Sequence, residues 1–187
     1  MTLHRRDVVK KLLERRGKLL VVAGLGSTAW DCTAAGDSPL TFPLWGAMGQ
    51  AAMMGLGLAL AQPKRRVLVI TGDGEMLMGL GSLATIGVQK PANLSVVVID
   101  NERYGETGMQ ATHTASGIDL AGVARSCALN IFDFKNHRAA IHERPGPNFA
   151  VVKVVAEKIP LVLPPREGAL LKARFRRALL GPQADLA

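Results

Sequence analysis

The chain has 187 residues, of which 48% are apolar and 20% charged, so it can bury one well-packed domain and carries too little charge for disorder. Aromatic residues make up only 4%, too few for a platform that stacks single-stranded nucleic acid. The two cysteines cannot form a disulfide framework, and the basic segment 1–18 lacks the apolar run of a signal peptide. We therefore expect a soluble, cytoplasmic protein.

The net charge of +8 lies entirely in the two ends of the chain. Residues 1–18 hold seven Lys or Arg against two acids, residues 166–187 hold five against two, and the middle sums to zero. Both ends also carry apolar residues at helical spacing: Val8, Val9, Leu12 and Leu13 in the first, and Leu170, Leu171, Phe175, Leu179 and Leu180 in the second. This pattern favours amphipathic helices docked on the domain, and we expect neither nucleic acid nor membrane as a partner.

Between the ends, short apolar runs alternate with helical stretches. We predict strands at Leu19–Ala23, Arg66–Thr71, Leu94–Asp100, Asn130–Phe134 and Asn148–Val155, and helices at Ala47–Gln62, Glu75–Gln89, Asp119–Ala128 and Asn136–Arg144. Several strands are continuous runs of Val, Ile and Leu, which is typical of strands covered on both faces. The alternation predicts an α/β fold, an open parallel sheet with helices on both faces.

Two further segments complete the expected organisation. The apolar segment Gly46–Ala61 has 16 residues, shorter than the ~20 that span a membrane, and is predicted to be a buried helix. Three prolines within Ile159–Arg166 mark a linker. We therefore expect a domain at residues 1–160, followed by a linker and a basic amphipathic helix at 161–187.

Residues able to hold a cation and a phosphate follow two neighbouring strands of the predicted sheet. Gly72-Asp73-Gly74 comes after the second strand, and Asn101 comes after the third. Parallel strands place their carboxyl ends side by side, so Asp73 and Asn101 could share a Mg²⁺ ion. The glycines and the following helix start suit a phosphate. On its own, Gly-Asp-Gly is equally explained as a tight loop with a capping aspartate.

The spacing of these residues resembles a known family. Gly72-Asp73-Gly74, then 26 residues, then Asn101, resembles the thiamine diphosphate (ThDP) signature of the decarboxylase and acetolactate synthase superfamily. Gly46-Ala47-Met48-Gly49 looks like the pyrimidine-binding loop of that superfamily, and Gly26-Ser27-Thr28 like its small phosphate-binding loop. The segment 101–110 most resembles sulfopyruvate decarboxylase beta subunits and phosphonopyruvate decarboxylases. The resemblance covers about residues 1–160 and implies the fold of the ThDP diphosphate-binding domain.

The resemblance implies a role for each matching residue. Mg²⁺ would be bound by Asp73, by the side chain of Asn101 and by the backbone carbonyl of Arg103. The remaining residues implied around the cofactor diphosphate are Ser27, Gly72, Gly74, Glu75, Tyr104 and Gly105, with the N–H groups of Gly74 and Glu75 as donors.

Further residues are implied at the cofactor rings and at the substrate. The carbonyl of Gly46 and the N–H of Met48 would bind the aminopyrimidine, while the Met48 side chain wedges between the two rings. Taken alone, Met48 would be read as an ordinary core methionine. His113, in a polar loop bounded by glycines, is a candidate proton donor, although an exposed loop histidine is an equal reading. Glu102 and Arg103 replace smaller residues common in the family, which leaves the substrate open.

The implied activity is decarboxylation of a 2-oxo acid, with sulfopyruvate- or phosphonopyruvate-like acids favoured. In this superfamily a glutamate on a separate pyrimidine-binding domain activates the cofactor, and 187 residues leave room for the diphosphate domain only. We therefore expect a second, alpha-type subunit that carries the pyrimidine domain and completes the active site. We also expect self-association, with the terminal helices as candidate contact surfaces.

Other functions are compatible with the same residues. An acetolactate synthase-type carboligase subunit would share the fold and the cofactor site, since neither fixes the fate of the intermediate. A non-catalytic ThDP-binding module would share them as well. A Rossmann-type nucleotide domain is disfavoured because Gly24-Leu25-Gly26 is followed by Ala29 where the fingerprint has its third glycine.

Overall fold

The computed structural model describes residues 2–135 and 143–185, without the side chain of Asp185. The predicted helix Asn136–Arg144 lies outside the described residues except for its last two positions. Within the described ranges, none of the helices is long and apolar enough to span a lipid bilayer.

Six strands form one parallel sheet. They are β1 (Leu20–Ala23), β2 (Thr41–Pro43), β3 (Val67–Gly72), β4 (Leu94–Asp100), β7 (Asn130–Ile131) and β8 (Asn148–Lys153). Their spatial order is β2-β1-β3-β4-β8-β7, and every neighbouring pair is parallel. A separate antiparallel hairpin joins β5 (Arg103–Tyr104) to β6 (Gln110–Ala111). The predicted parallel α/β sheet is confirmed.

Helices cover both faces of the sheet. They are α1 (Arg5–Leu13), α2 (Ser27–Ala34), α3 (Ala51–Ala61), α4 (Asp73–Met78), α5 (Ser82–Gln89), α6 (Leu120–Ser126) and α7 (Gly168–Leu180), with short 3-10 helices at His113–Ser116 and Gly181–Asp185. One hydrophobic cluster joins α3, α5, α6 and α7 to the sheet, and a second joins α1 and α2 to its other side. Side chains of adjacent strand residues point to opposite faces, so the continuous apolar strands supply both clusters.

The predicted helix Glu75–Gln89 is two helices, α4 and α5, separated by a turn at residues 79–81. A close backbone contact lies at the break. A Cβ atom on Gly79 would lie 2.0 Å from the backbone oxygen of Gly49, so the loop before α3 touches the end of α4 directly. Met48 precedes Gly49 in that loop.

Both predicted terminal helices are docked on the domain. In α1, Val8, Val9, Leu12 and Leu13 are buried. In α7 the buried side chains are Leu171 and Phe175, and the Phe175 ring packs edge-on against Phe42 of β2 at 5.6 Å between centroids. The linker before α7 is attached through Trp45, whose Nε1 donates to the Pro165 carbonyl at 2.7 Å.

Candidate functional site

A cavity of about 180 Å³ lies at the carboxyl ends of β1, β3 and β4. The chain leaves β1 toward β2 on one side and returns to β3 on the other, so the cavity sits where the strand order reverses. Open parallel sheets bind their ligands at this position. The geometry of the fold alone therefore makes it a candidate binding site.

Most of the residues predicted from the sequence line this single cavity. Those that do are Ser27, Met48, Gly72, Asp73, Gly74, Glu75, Asn101, Arg103, Tyr104 and Gly105. Gly46 lies two residues from Met48 and is not among the lining residues. His113 lies in an adjoining groove rather than in the cavity.

Asp73 begins α4 and is 2% exposed. Its Oδ2 accepts a hydrogen bond from the Thr112 hydroxyl at 2.5 Å, and the Thr114 hydroxyl oxygen lies 3.3 Å from the same atom. Burial raises the pKa of Asp73, and these hydroxyls act in the opposite direction because they stabilise the charged form. A buried carboxylate that is hydrogen-bonded only to neutral donors keeps its negative charge available for a cation.

Asn101 turns the chain at the end of β4 into the hairpin. Its Oδ1 accepts from the backbone N–H of Arg103 at 3.0 Å. Glu102, between them, has φ +62°, a left-handed conformation that is costly for a residue with a side chain. Ala47, in the loop beside Met48, has φ +57°. Strained backbone of this kind is concentrated at functional sites.

The Glu75 side chain is buried beneath the cavity and is hydrogen-bonded there. Its Oε2 accepts from the Thr71 hydroxyl at 2.7 Å, and a Cβ on Gly24 would lie 1.8 Å from the same oxygen. Burial raises the pKa of Glu75, opposed by the Thr71 hydroxyl and by nearby backbone N–H groups, including those of Leu25 and Gly49. The carboxylate thus connects α4 to the end of β3 beside Gly24 at the end of β1, its Oε1 has no hydrogen-bond partner among the described residues, and the Glu75 backbone N–H lies in the first turn of α4.

A second, wider groove of about 610 Å³ continues from the cavity. It shares Met48, Gly74 and Tyr104 with the cavity, and its walls are otherwise mainly apolar. Met78, 68% exposed, and Ile118, 47% exposed, lie in it. His113 is the histidine in the lining of this groove, and it places a polar side chain in an otherwise apolar surface near Met48.

Several residues of the site carry no signal in the local sequence. Thr112 and Thr114 reach Asp73 across a gap of about forty positions in sequence. Arg5 of α1 is 3% exposed and lines the cavity, where its Nη1 pairs with Asp31 and donates to the Ser27 carbonyl at 3.2 Å. The buried carboxylate of Asp31 in an otherwise neutral helix was the only available hint.

The donor set fits a magnesium ion held together with a diphosphate. The described residues contain no group of three or more His, Cys, Asp or Glu side chains that could hold a metal by themselves. Asp73 and Asn101 offer hard oxygen donors in one cavity, and such a set is completed by phosphate oxygens, a backbone carbonyl and water. Mg²⁺ is bound in this way when the substrate or cofactor carries phosphates.

Comparison with known sequences gives one family and a consistent set of relatives. Residues 26–154 match the family described as thiamine pyrophosphate enzyme, C-terminal TPP binding domain. Sulfopyruvate decarboxylase subunit beta of Methanocaldococcus jannaschii is 42% identical over 66% of this chain and 66% of its own length. The subunit of the same name from Methanothermobacter thermautotrophicus is 41% identical over 82% of this chain and 83% of its own length. Phosphonopyruvate decarboxylase of Streptomyces viridochromogenes is 45% identical over 57% of this chain and only 26% of its own length.

Comparison with solved structures supports the fold. A structure assigned to a thiamin diphosphate-dependent enzyme isolated from Mycobacterium smegmatis superposes with a TM-score of 0.71 at 20% sequence identity. The match covers 83% of this chain and 32% of the other chain. The present chain therefore corresponds to about a third of that larger protein.

Proposed function

The chain belongs to the thiamine pyrophosphate enzymes through their C-terminal TPP-binding domain, and from this premise we propose that it is the diphosphate-binding, beta-type subunit of a ThDP-dependent 2-oxo acid decarboxylase. The observation that carries the proposal is the cavity at the strand-order reversal, where Asp73, Asn101 and Ser27 meet. When bound there, the thiazolium of ThDP supplies the electron sink that decarboxylation of a 2-oxo acid requires.

Each side of the cavity has a distinct task in this proposal. Asp73, the Asn101 side chain and the Arg103 carbonyl hold Mg²⁺. The N–H groups of Gly74 and Glu75 lie in the first turn of α4, where backbone donors have no partner within the helix and can bind the diphosphate. Ser27, at the start of α2, closes the opposite side.

The aromatic ring of Tyr104 lies directly over Gly74, where a Cβ would approach its ring carbons to 2.4 Å. Tyr104 and Gly105 therefore cover the site from the hairpin side. Met48 stands on the other side, at the junction of cavity and groove. We assign it the position between the cofactor rings, with the Gly46 carbonyl as acceptor for the aminopyrimidine.

The activating carboxylate is assigned to an alpha-type partner subunit. Of the four acids that line the cavity, Asp31 pairs with Arg5, Glu75 accepts a hydrogen bond from Thr71, and Asp73 is assigned to the proposed cation. Glu106 lies against Gly26, where a Cβ would come within 1.8 Å of its Oε1. The apolar groove beside Met48 gives the partner a surface that adjoins the cofactor.

The substrate is proposed to be a 2-oxo acid with an anionic tail, of the sulfopyruvate or phosphonopyruvate type. The relatives at 41–45% identity carry these two names. His113 is the polar group of the groove beside Met48 and is the candidate to bind that tail or to supply a proton. We expect the complex to be cytoplasmic, in keeping with the free thiols of Cys32 and Cys127, and to contain more than one copy of the chain.

Reconstitution tests the proposal. The chain is mixed with the alpha-type subunit that co-purifies with it from the native cell. CO2 release is then measured with sulfopyruvate, phosphonopyruvate and pyruvate. Asp73→Asn should weaken ThDP-dependent Mg²⁺ binding by at least about a hundredfold and abolish CO2 release, because a charged ligand is lost. Asp37→Asn, which removes a surface carboxylate paired with Arg174, is the matched control and should leave both unchanged.

The outcomes also separate the alternatives. Acetolactate formed from pyruvate would identify a carboligase instead. Tight ThDP and Mg²⁺ binding without CO2 release or carboligation, in the complete complex, would identify a non-catalytic cofactor-binding module. Failure of the wild-type complex to bind ThDP with Mg²⁺ would overturn the proposal altogether.

A further inference from the structure

Two buried hydroxyls lie between two buried carboxylates beside the proposed cation. Thr112 and Thr114 are 2% and 5% exposed, and Asp73 and Asp100 are 2% and 1% exposed. The Thr112 hydroxyl is 2.5 Å from Asp73 Oδ2, and the Thr114 hydroxyl is 2.8 Å from Asp100 Oδ1. The two hydroxyl oxygens are 3.0 Å apart.

The number of protons decides the direction of these hydrogen bonds. Each hydroxyl has a single proton, and both carboxylates are acceptors when ionised. The shortest contacts therefore assign the Thr112 proton to Asp73 and the Thr114 proton to Asp100. Thr112 is therefore the donor to Asp73, and the Thr114 hydroxyl oxygen lies 3.3 Å from the same Oδ2 without a proton for it.

This arrangement leaves the two oxygens of Asp73 unequal. Both hydroxyls contact Oδ2, so Oδ1 is the oxygen that neither of them occupies. The hydroxyl on Oδ2 competes with a cation for that oxygen, which favours contact through Oδ1. Mg²⁺ requires near-octahedral geometry with short, single-oxygen contacts, whereas Ca²⁺ accepts carboxylates through one or both oxygens.

Thr112 also fixes the end of the hairpin that carries other proposed ligands. Its backbone N–H donates to the Glu102 carbonyl at 3.0 Å, directly after the pairing of Arg103 with Ala111. On the far side, the Lys153 ammonium contacts Asp100 Oδ2 at 2.9 Å and Glu102 Oε1 at 2.6 Å. Thr112 thus connects Asp73 to the end of the paired β5–β6 hairpin through one residue.

We propose that Thr112 is a positioning residue, which holds Asp73 as a one-oxygen ligand, selects Mg²⁺ over Ca²⁺, and couples the stability of the paired β5–β6 hairpin to cation binding. The proposal rests on the proposed function, in that the cation is the Mg²⁺ of bound ThDP. Loss of the hydroxyl frees Asp73 Oδ2, so the variant carboxylate can bind through both oxygens, which favours the larger ion.

The test uses the reconstituted two-subunit complex with saturating ThDP. MgCl2 and CaCl2 are titrated separately by calorimetry into the wild type, Thr112→Val and Thr112→Ser. Thr112→Val should weaken Mg²⁺ binding about tenfold, as expected for one hydrogen bond to a charged group, and Ca²⁺ binding by less than about threefold. Thr112→Ser keeps the hydroxyl and should restore both affinities to within about twofold of wild type.

Amide hydrogen exchange supplies a second readout. Mg²⁺ with ThDP should slow exchange of residues 103–111 in the wild type, and this slowing should be lost in Thr112→Val. Thr33→Val is the matched control, because it removes a threonine hydroxyl bonded at 3.0 Å to the Ala29 carbonyl, away from the cavity. It should behave as wild type in both measurements. Should thermal unfolding show that Thr112→Val does not fold, Thr112→Ala is measured instead.

The outcomes separate a failure of this inference from a failure of the proposed function. Equal losses of Mg²⁺ and Ca²⁺ affinity in Thr112→Val, or no loss of either, would overturn this inference. The proposed function would still stand as long as the wild-type complex binds Mg²⁺ with ThDP. Absence of ThDP-dependent Mg²⁺ binding by the wild-type complex would overturn the proposed function, and this inference with it.

Discussion

The two basic terminal helices, α1 and α7, have similar apolar patterns and very different surroundings. In α1 a charged residue, Arg5, is 3% exposed and pairs with Asp31 in the wall of the cavity. In α7 the corresponding ion pair, Arg174 with Asp37, lies at the surface, where the Asp37 side chain is 48% exposed. Helical spacing of apolar residues therefore predicts that a helix docks, while the partner across the contact decides whether its basic face is buried.

The rate at which the two cysteines react with a thiol reagent should show the largest difference between buried and exposed surroundings. Cys32 lies in the same hydrophobic cluster as the buried side chains of α1, and burial raises the pKa of its thiol to about 12. Cys127 is partly exposed. At about pH 8, an aromatic disulfide reagent should label Cys127 promptly and Cys32 at least about a thousandfold more slowly, because Cys32 reacts only when α1 opens.

The labelling variants separate the two helices. Leu12→Ala in α1 should accelerate labelling of Cys32, whereas Leu171→Ala in α7 should leave the same rate nearly unchanged. Equal rates for the two cysteines in the wild type would contradict the buried position of α1.

Breaking the buried ion pair should lower the free energy of unfolding more than any other single substitution considered for the two helices. Asp31→Ala leaves the Arg5 guanidinium buried without its carboxylate and also removes the partner of the part-exposed Arg6, and we expect the free energy of unfolding to fall by about 3–5 kcal/mol. Urea denaturation followed by circular dichroism measures the loss. The apolar pair Arg5→Met with Asp31→Leu is the control and should recover most of it. A loss below about 1 kcal/mol in Asp31→Ala would show that the pair is not buried as described.

Removing the aromatic anchor of α7 should have a smaller effect. Phe175 is 8% exposed and packs against Phe42 of an edge strand, where neighbours can relax into the space. Phe175→Ala should lower the free energy of unfolding by about 2–3 kcal/mol, somewhat less than a fully buried phenylalanine. Leu170→Ala, at a neighbouring exposed position, should change it by less than about 0.5 kcal/mol. Equal effects of the two variants would mean that α7 is not docked through this face.

The surface ion pair of α7 should contribute least. Arg174→Met removes both hydrogen bonds to Asp37, and we expect a change below about 0.5 kcal/mol, because exposed pairs are well solvated when separate. A double-mutant cycle with Asp37→Asn, measured at low and high salt, isolates the coupling. A coupling energy near that of a buried pair would remove the distinction drawn between the helices.

The sequence predicts best those parts that depend on continuous burial. Strand β4 is predicted at Leu94–Asp100 and is found with those bounds, because all seven residues are buried and the run Val96–Ile99 is continuously apolar and β-branched. The grouping of Asp73 and Asn101 in one cavity follows from the same source, since β3 and β4 are neighbours with their carboxyl ends together.

Parts that depend on distant contacts were not predictable. Strands β5 and β6 have two residues each, too few to show an alternation of apolar and polar side chains. The turn at Gly79 lies against the backbone of Gly49, and the Thr112 hydroxyl meets Asp73 only after the hairpin has folded back. None of these contacts leaves a local pattern, because the two partners are separated by tens of residues.

The strand order also governs how the nascent chain folds. Strand β4 occupies the middle of the sheet, yet one of its two neighbours, β8, begins only at residue 148. During synthesis, an apolar strand with an open hydrogen-bonding edge therefore precedes the segment that seals it by many residues, and such edges promote association between chains. Strand β7 must also wait for β8, its partner in the sheet. The yield of folded protein in a cell thus depends on how well β4 is shielded until the ribosome has delivered β8.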